Sequence, residues 1–375
     1  MTTKDRERQR TKRRVLVLGG TGWLGGAIVR VALARGDHVV CLARGESGEI
    51  PEGATLVCAD RRSPGAYAGV AGHWDEVIEL AHDPTLVASA LDGLADRAAH
   101  WTLVSTVSVY ADTGTPGADE RAELIEPQDL SRYPDAKVAA ERATTARLAD
   151  RLLIIRPGLI AGPGDPSDRL GYWPARLWRG GDVLVPRMEG RFVQCIDVDD
   201  LAGWIIEAGA RELLGIVDAV GESHSMRGFL EITSTVTEFT GELVEIEDEI
   251  LLAHSIGYWA GPRSIPLWLP LADSGFARRD GRQYLGAGGG GGRCDHSSTP
   301  WAALWTTSEL AASTDPGVPD STPRKNKSSL LPPGGRRSSE SLDPPALVLG
   351  SNGKPPSPAR NQSASSVLRE PADGG

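Results

Sequence analysis

The stretch Val15-Leu16-Val17-Leu18-Gly19-Gly20-Thr21-Gly22-Trp23-Leu24-Gly25 decides how this chain is read. Four apolar residues suited to a strand run into glycines at 19, 22 and 25, and a helical pattern over 23–34 follows at once. In such a turn the first glycine permits the sharp bend, the second lets backbone approach a pyrophosphate, and the third allows helix and sheet to pack closely. The start of the helix adds free N–H groups and the positive end of its dipole. Placed between a strand and a helix, Gly19, Thr21, Gly22, Trp23, Leu24 and Gly25 are therefore expected to hold the phosphates of a dinucleotide cofactor.

Outward from that turn the pattern alternates. Strands are expected at 38–43, 54–59, 76–81, 101–106 and 152–156, and helices at 84–99 and 134–150. Near-continuous apolar strands alternating with helices imply a parallel sheet covered on both faces. The fold class is thus α/β, a doubly wound Rossmann sheet, with its binding domain over 14–165. After Pro157, glycine, proline and tryptophan become frequent. A small substrate lobe with some returning sheet elements is expected over 166–286. From 287 to 375 Gly, Pro and Ser together exceed the share, roughly 25–30%, at which a chain without a period is disordered. That stretch is expected to be a disordered tail, and 1–13 a shorter basic one. The abrupt change also suggests a shifted reading frame near the C-terminus.

Composition narrows the classes of function. Forty Lys and Arg against 50 Asp and Glu leave a formal charge of −10, which does not suit a general nucleic-acid or anionic-membrane binder. No apolar run approaches the roughly 18 residues of a membrane span. The basic N-terminus lacks the apolar core and small-residue cleavage site of a secretory signal. Cys41, Cys58, Cys195 and Cys294 fall singly, so no metal site is expected, and the first three read as buried thiols of a cytoplasmic protein.

Two further motifs carry chemistry. Tyr133-Pro134-Asp135-Ala136-Lys137 sets a tyrosine and a lysine four residues apart, one turn of a helix and on one face. A phenol of ordinary pKa, near 10, is a poor base at neutral pH, and a nearby ammonium stabilises its ionised form. Proline suits a first helical turn, which places Tyr133 at the helix entrance. Before it comes Val104-Ser105-Thr106-Val107-Ser108-Val109-Tyr110. The spacing of the glycines together with this segment resembles the extended short-chain dehydrogenases/reductases, the NAD-dependent epimerase/dehydratase family. The resemblance is good over 14–220 and looser over 220–285. It implies a hydroxyl partner at Thr106, with Ser105 as the fallback, and Tyr133 as acid/base beside Lys137, which also holds a ribose. It implies that Asp60 meets the adenine, that the backbone from Pro157 passes the nicotinamide, and that Ala81 lies against the cofactor.

Where NAD-preferring members carry an acid at the end of the second strand, this chain has Ala43 and then Arg44. A guanidinium suits a 2′-phosphate, so NADP is the favoured cofactor and NAD the other choice. Val107-Ser108 stand where sugar-nucleotide dehydratases carry Asp-Glu, so dehydration is not expected. The segment Ala81-His82-Asp83 also departs from the family's small-residue run. Tyr172, Trp173, Arg176, Trp178, Arg179, Arg187 and Arg191 could bind an anionic substrate such as a nucleotide sugar, or could simply pack the lobe. The expected activity is hydride transfer between NAD(P)(H) and a carbonyl or alcohol, by a reductase or an epimerase. The competing reading is a cofactor-binding regulatory or RNA-associated Rossmann protein without turnover.

Overall fold

Strand β1 (Arg14–Leu18) is an interior strand of the main sheet, and its side chains show why it must be apolar throughout. Val15 and Val17 pack into the core on one face, Leu16 and Leu18 into the core on the other. Successive residues of a strand point to opposite faces, so covering both faces requires an unbroken apolar run. The computed structural model describes residues 12–261 and 263–279; the expectations for 1–11 and 287–375 lie outside the described residues.

The chain continues through β2 (His38–Ala43), β3 (Thr55–Cys58), β4 (Trp74–Glu79), β5 (Ala98–Val104) and β6 (Leu152–Pro157). With β10 (Gly215–Ala219) these form a seven-stranded sheet in the order β10-β6-β5-β4-β1-β2-β3, every pair parallel. Helices α1 (Trp23–Arg35) and α5 (Val198–Ala210) cover one face, and α2 (Pro84–Leu94) and α3 (Tyr133–Leu148) the other. Local chemistry sets the helix ends. Gly36, at φ +92°, closes α1 in the left-handed conformation that glycine adopts at little cost. Asp83 caps α2 by accepting the Thr85 N–H, with Pro84 in the first turn. Because strand order reverses at β1, a crevice opens above the carboxyl ends of β1 and β4.

Two elements differ from expectation. Helix α2 stops at Leu94, and residues from Ala98 belong to β5, where Ala98 and His100 pair with Trp74 and Glu76. Pairing with a central strand overrides the helical preference of alanines. Strand β10 carries a weak signal because it is an edge strand with only its last two residues buried. Cys58 is also exposed rather than buried, since β3 forms the opposite edge.

The lobe comprises a small sheet of β7 (Leu159–Ala161), β9 (Phe192–Asp197) and β11 (Ser223–Ser225). Beside it lie the parallel pairs β8 (Val183–Pro186) with β12 (Leu243–Ile246) and β13 (Gly257–Tyr258) with β14 (Ser264–Ile265). Helices α4 (Tyr172–Trp178), α6 (Met226–Val236) and α7 (Asp248–Ala253) complete it. Trp173, Phe229 and Trp268 are fully buried in its core.

A buried ionic network joins lobe and sheet. The Tyr110 hydroxyl donates to Asp218 Oδ1 (2.7 Å) and accepts from Arg156 Nη1 (2.9 Å). Arg156 also grips both oxygens of Glu141 (2.9 and 2.6 Å). Arg279 donates to Asp218 Oδ2 (2.9 Å) and lies 3.5 Å above the Tyr110 ring centroid. The final described residue is thereby fastened to the seventh strand.

Candidate active site

A cleft of about 1290 Å³ runs along the crevice from the glycine turn to the lobe. Ordinary small-molecule sites take up roughly 300–1,000 Å³, so there is room for a dinucleotide and a second small molecule. The residues that the sequence assigns to the cofactor and to catalysis, from the glycine turn through Arg44, Asp60, Ala81, Thr106, Tyr133 and Lys137 to Pro157, line this one cleft. At its glycine end, Gly19 adopts φ +102° and donates its N–H to Leu42 O at 3.1 Å. Gly22 precedes α1 in extended conformation and offers no side-chain cap. The first-turn amides of Trp23, Leu24 and Gly25 have no acceptor within the helix, and Thr21 flanks them on the cleft wall. An uncapped, glycine-lined helix start of this kind fits a phosphate anion.

Gly25 is there for backbone proximity. A Cβ at this position would come within 2.4 Å of Gly19 O and 2.9 Å of Gly20 Cα. Gly25→Ala is expected to displace the turn and weaken dinucleotide binding at least tenfold, or about 1.4 kcal/mol. Gly26→Ala is the control, because its Cβ would meet only the flexible end of Arg30 at 3.7 Å. Titration calorimetry on both variants checks the contrast; equal affinities would refute it.

The next part of the cleft contains Arg44 and Asp60. Arg44 Nη1 lies 3.2 Å from Glu46, with both side chains more than half exposed. Asp60 accepts the Arg62 N–H at 3.0 Å. Sequence reasoning missed the adjoining buried pair, in which Arg61 forks onto Glu79 at 3.0–3.1 Å. Glu79 also accepts the Ala81 N–H at 2.8 Å, fixing the segment that carries Ala81 and His82. Its signal was an acid at the end of an apolar strand.

At the far end Thr106 follows β5 and its Oγ1 accepts the Ser108 N–H at 3.2 Å. Tyr133 is the first residue of α3, with the Thr106 hydroxyl beside its phenol. It is 47% exposed, but into the cleft, whose walls push the phenol pKa above its ordinary value. The phenol is accordingly protonated at neutral pH. Ser105 is buried, and its Oγ has no partner among the described residues. Lys137 is 3% exposed; its Nζ donates to Ala81 O (3.0 Å) and Val104 O (2.6 Å). Burial brings its pKa down to about 8, against the opposing pull of Glu79 and Glu141. Pro157, the last residue of β6, and Ala81 stand on the walls around it.

The lobe contributes different residues from those expected. Arg176, Arg187 and Arg191 do not line the cleft. Arg176 donates to Gly180 O and Asp182 O, Arg187 pairs with Glu189, and buried Arg191 holds Leu269 O, Arg187 O and Asp248. Instead Arg169, Phe192, Gln194, Trp259 and Phe276 line the cleft. Trp259 carries the Arg169 guanidinium 5.1 Å above its ring. Among the described residues no cluster of His, Cys, Asp or Glu could hold a metal ion. No helix among them is long and apolar enough to cross a membrane.

Residues 15–212 match the model of the NAD dependent epimerase/dehydratase family. The chain is similar to 2′-dehydrokanamycin reductase of Streptomyces kanamyceticus, 34% identical over 185 residues, covering 46% of this chain and 51% of that protein. It thus spans about half the length of that relative. It is also similar to human epimerase family protein SDR39U1, 26% identical over 227 residues, covering 56% of this chain and 76% of the relative. Among solved structures, UDP-glucuronic acid 4-epimerase from Bacillus cereus in complex with NAD shares the fold. Its TM-score is 0.53 at 15% identity, covering 71% of this chain and 97% of that one.

Proposed function

The chain belongs to the NAD dependent epimerase/dehydratase family, and from that premise we propose that it is an NADP(H)-dependent reductase acting on a carbonyl substrate, with Tyr133 as the proton carrier. The observation that carries this reading is the convergence of Thr106, Tyr133 and Lys137 in one cleft with an uncapped, glycine-lined helix start. When bound there, the nicotinamide supplies the hydride. The protein's own part is to hold and polarise the substrate. The Thr106 hydroxyl hydrogen-bonds the carbonyl oxygen, and neutral Tyr133 gives that oxygen its proton. Lys137, pinned on two strand-end carbonyls, holds a ribose. The raised pKa of Tyr133 keeps the phenol protonated at neutral pH, the form that reduction of a carbonyl requires. An epimerase would use the same groups twice, first accepting a proton and then returning it.

Reaction of the purified protein with NADPH and a panel of ketones and aldehydes tests the proposal. Substrate-dependent loss of NADPH absorbance is the expected result; binding of NADPH without turnover of any carbonyl would favour the regulatory reading.

Arg44 supports the choice of cofactor. Its exposed pair with Glu46 contributes little, about 0–1 kcal/mol, so the guanidinium is easily redirected to a 2′-phosphate. Arg44→Ala is expected to narrow the preference for NADP(H) over NAD(H) by ten- to a hundredfold, the roughly 1.5–3 kcal/mol of a charge-assisted hydrogen bond. Calorimetric titration of both cofactors decides it, and equal constants for the unaltered protein would remove the assignment.

A further inference from the structure

On the lobe side the wall of the cleft is largely apolar, with Phe192, Leu267, Leu269 and Phe276 among its lining. The polar side chains there are mostly engaged with the protein itself. Gln194 Nε2 donates to Gly221 O (2.9 Å) and Arg279 O (3.0 Å), and its Oε1 accepts the Arg279 N–H (3.1 Å). Asp165 accepts from Ser167, whose N–H and Oγ both lie 2.8 Å from Oδ1. Arg169 is the charged side chain of this wall whose polar end is left to a ligand.

Arg169 belongs to the loop between β7 and α4. The loop is tied down at its start, where Pro163 O accepts from Trp23 Nε1 at 2.9 Å beside the glycine turn, and again at Arg169 on the lobe. There the Arg169 Nε donates to Ser167 Oγ at 3.1 Å, and the guanidinium lies on the face of the Trp259 ring. Trp259 is itself fixed: its N–H donates to Trp268 O at 3.1 Å, and its backbone is held at φ +63°. A bulky residue enters that left-handed region only where its surroundings impose it. The arginine is thus oriented before a ligand arrives. Yet neither Nη1 nor Nη2 has a hydrogen-bond acceptor among the described residues. Burial in the cleft works against the charge, and Asp165 offsets that only in part. A planar fork of free N–H donors matches the paired oxygens of a carboxylate or a phosphate.

We propose that Arg169 is a substrate anchor, which selects carbonyl compounds bearing a carboxylate or phosphate on an apolar body. The inference rests on the cleft being that of a carbonyl reductase. The guanidinium takes two oxygens of the anionic group, Trp259 keeps the plane of the fork fixed, and the apolar wall covers the body of the substrate. Thr106 and Tyr133 remain for the carbonyl oxygen. An anchor remote from the reacting atoms binds substrate and transition state alike, so its loss raises KM and leaves kcat nearly unchanged.

The test uses the full chain and two pairs of probes that differ chiefly in charge: benzoylpropionate against its methyl ester, and phenacyl phosphate against phenacyl alcohol. In calorimetric titration of the NADP⁺-loaded protein, at least one acid is expected to bind tenfold or more tighter than its neutral partner. Which acid does so distinguishes a carboxylate from a phosphate substrate. Arg169→Gln should abolish that preference, and Arg169→Lys should keep part of it, because an ammonium retains the charge and loses the fork. With NADPH, Arg169→Gln should raise KM for the preferred acid by ten- to a hundredfold, the weight of one charge-assisted contact, and leave the neutral partner unaffected. Circular dichroism verifies that each variant is folded. Equal binding of acids and neutral partners, or a preference that survives in Arg169→Gln, overturns the proposal. Turnover of acids and neutral ketones alike removes the anchor and leaves the reductase reading in place. Acid-selective binding that depends on Arg169, without turnover of any carbonyl, defeats the reductase reading and leaves the anchor.

Discussion

Tyr133→Phe is expected to lower turnover by roughly 10²–10⁴, the contribution of a positioned general acid, and to leave cofactor affinity almost unchanged. The substitution keeps the ring beside His82 and removes only the hydroxyl that neighbours Thr106. Thr106→Val should likewise lower turnover with little effect on cofactor binding. Lys137→Met should behave differently, because Lys137 is buried and tied to the segments that carry Ala81 and Val104. Its loss should weaken cofactor binding and turnover together. Steady-state kinetics with NADPH, paired with calorimetric titration of the same preparations, separates the patterns. Near-full activity in Tyr133→Phe would mean that the tyrosine merely anchors its loop.

The second large effect is on stability. Asp218→Ala is expected to reduce the unfolding free energy by about 3–5 kcal/mol, the cost of leaving a buried charge without its partner. Asp218 is fully buried and Arg279 is 4% exposed, so water cannot replace the lost carboxylate for the guanidinium. The Tyr110 hydroxyl loses its acceptor in the same step. Tyr110→Phe should cost less, about 1–3 kcal/mol, by leaving Asp218 and Arg156 each short of a hydrogen bond. Urea denaturation of the three proteins gives both figures. A change below about 1 kcal/mol in Asp218→Ala would show that Arg279 finds another partner.

Much of the glycine end of the cleft was legible because its geometry is local. The distance from Gly19 to Gly25 is spanned by one turn and the start of one helix, and the relation of Tyr133 to Lys137 is that of neighbours on a helix. Strand β1 could be read because a doubly covered strand has no polar face. Strand β10 carries no such run, since an edge position relaxes that demand. In the lobe, arginines were visible but their partners were not. Arg191 looked like a candidate ligand for an anion and is in fact a brace between Leu269, Arg187 and Asp248. Arg169 carried no motif, and what distinguishes it is a tryptophan ninety positions away.

The sequence by itself determined the parallel sheet, the glycine turn and the helix that carries Tyr133 and Lys137. Each follows from backbone periodicity and the conformational range of a few residues close together in the chain. Only the tertiary structure decided which charges are paired and which remain directed into the cleft. Tyr110 meets Asp218 across 108 positions, and Trp23 Nε1 reaches Pro163 O across 140. Such meetings depend on how whole layers pack, because the strength of a charge is set by its burial and its partners, and neither can be read from the spacing of residues along the chain.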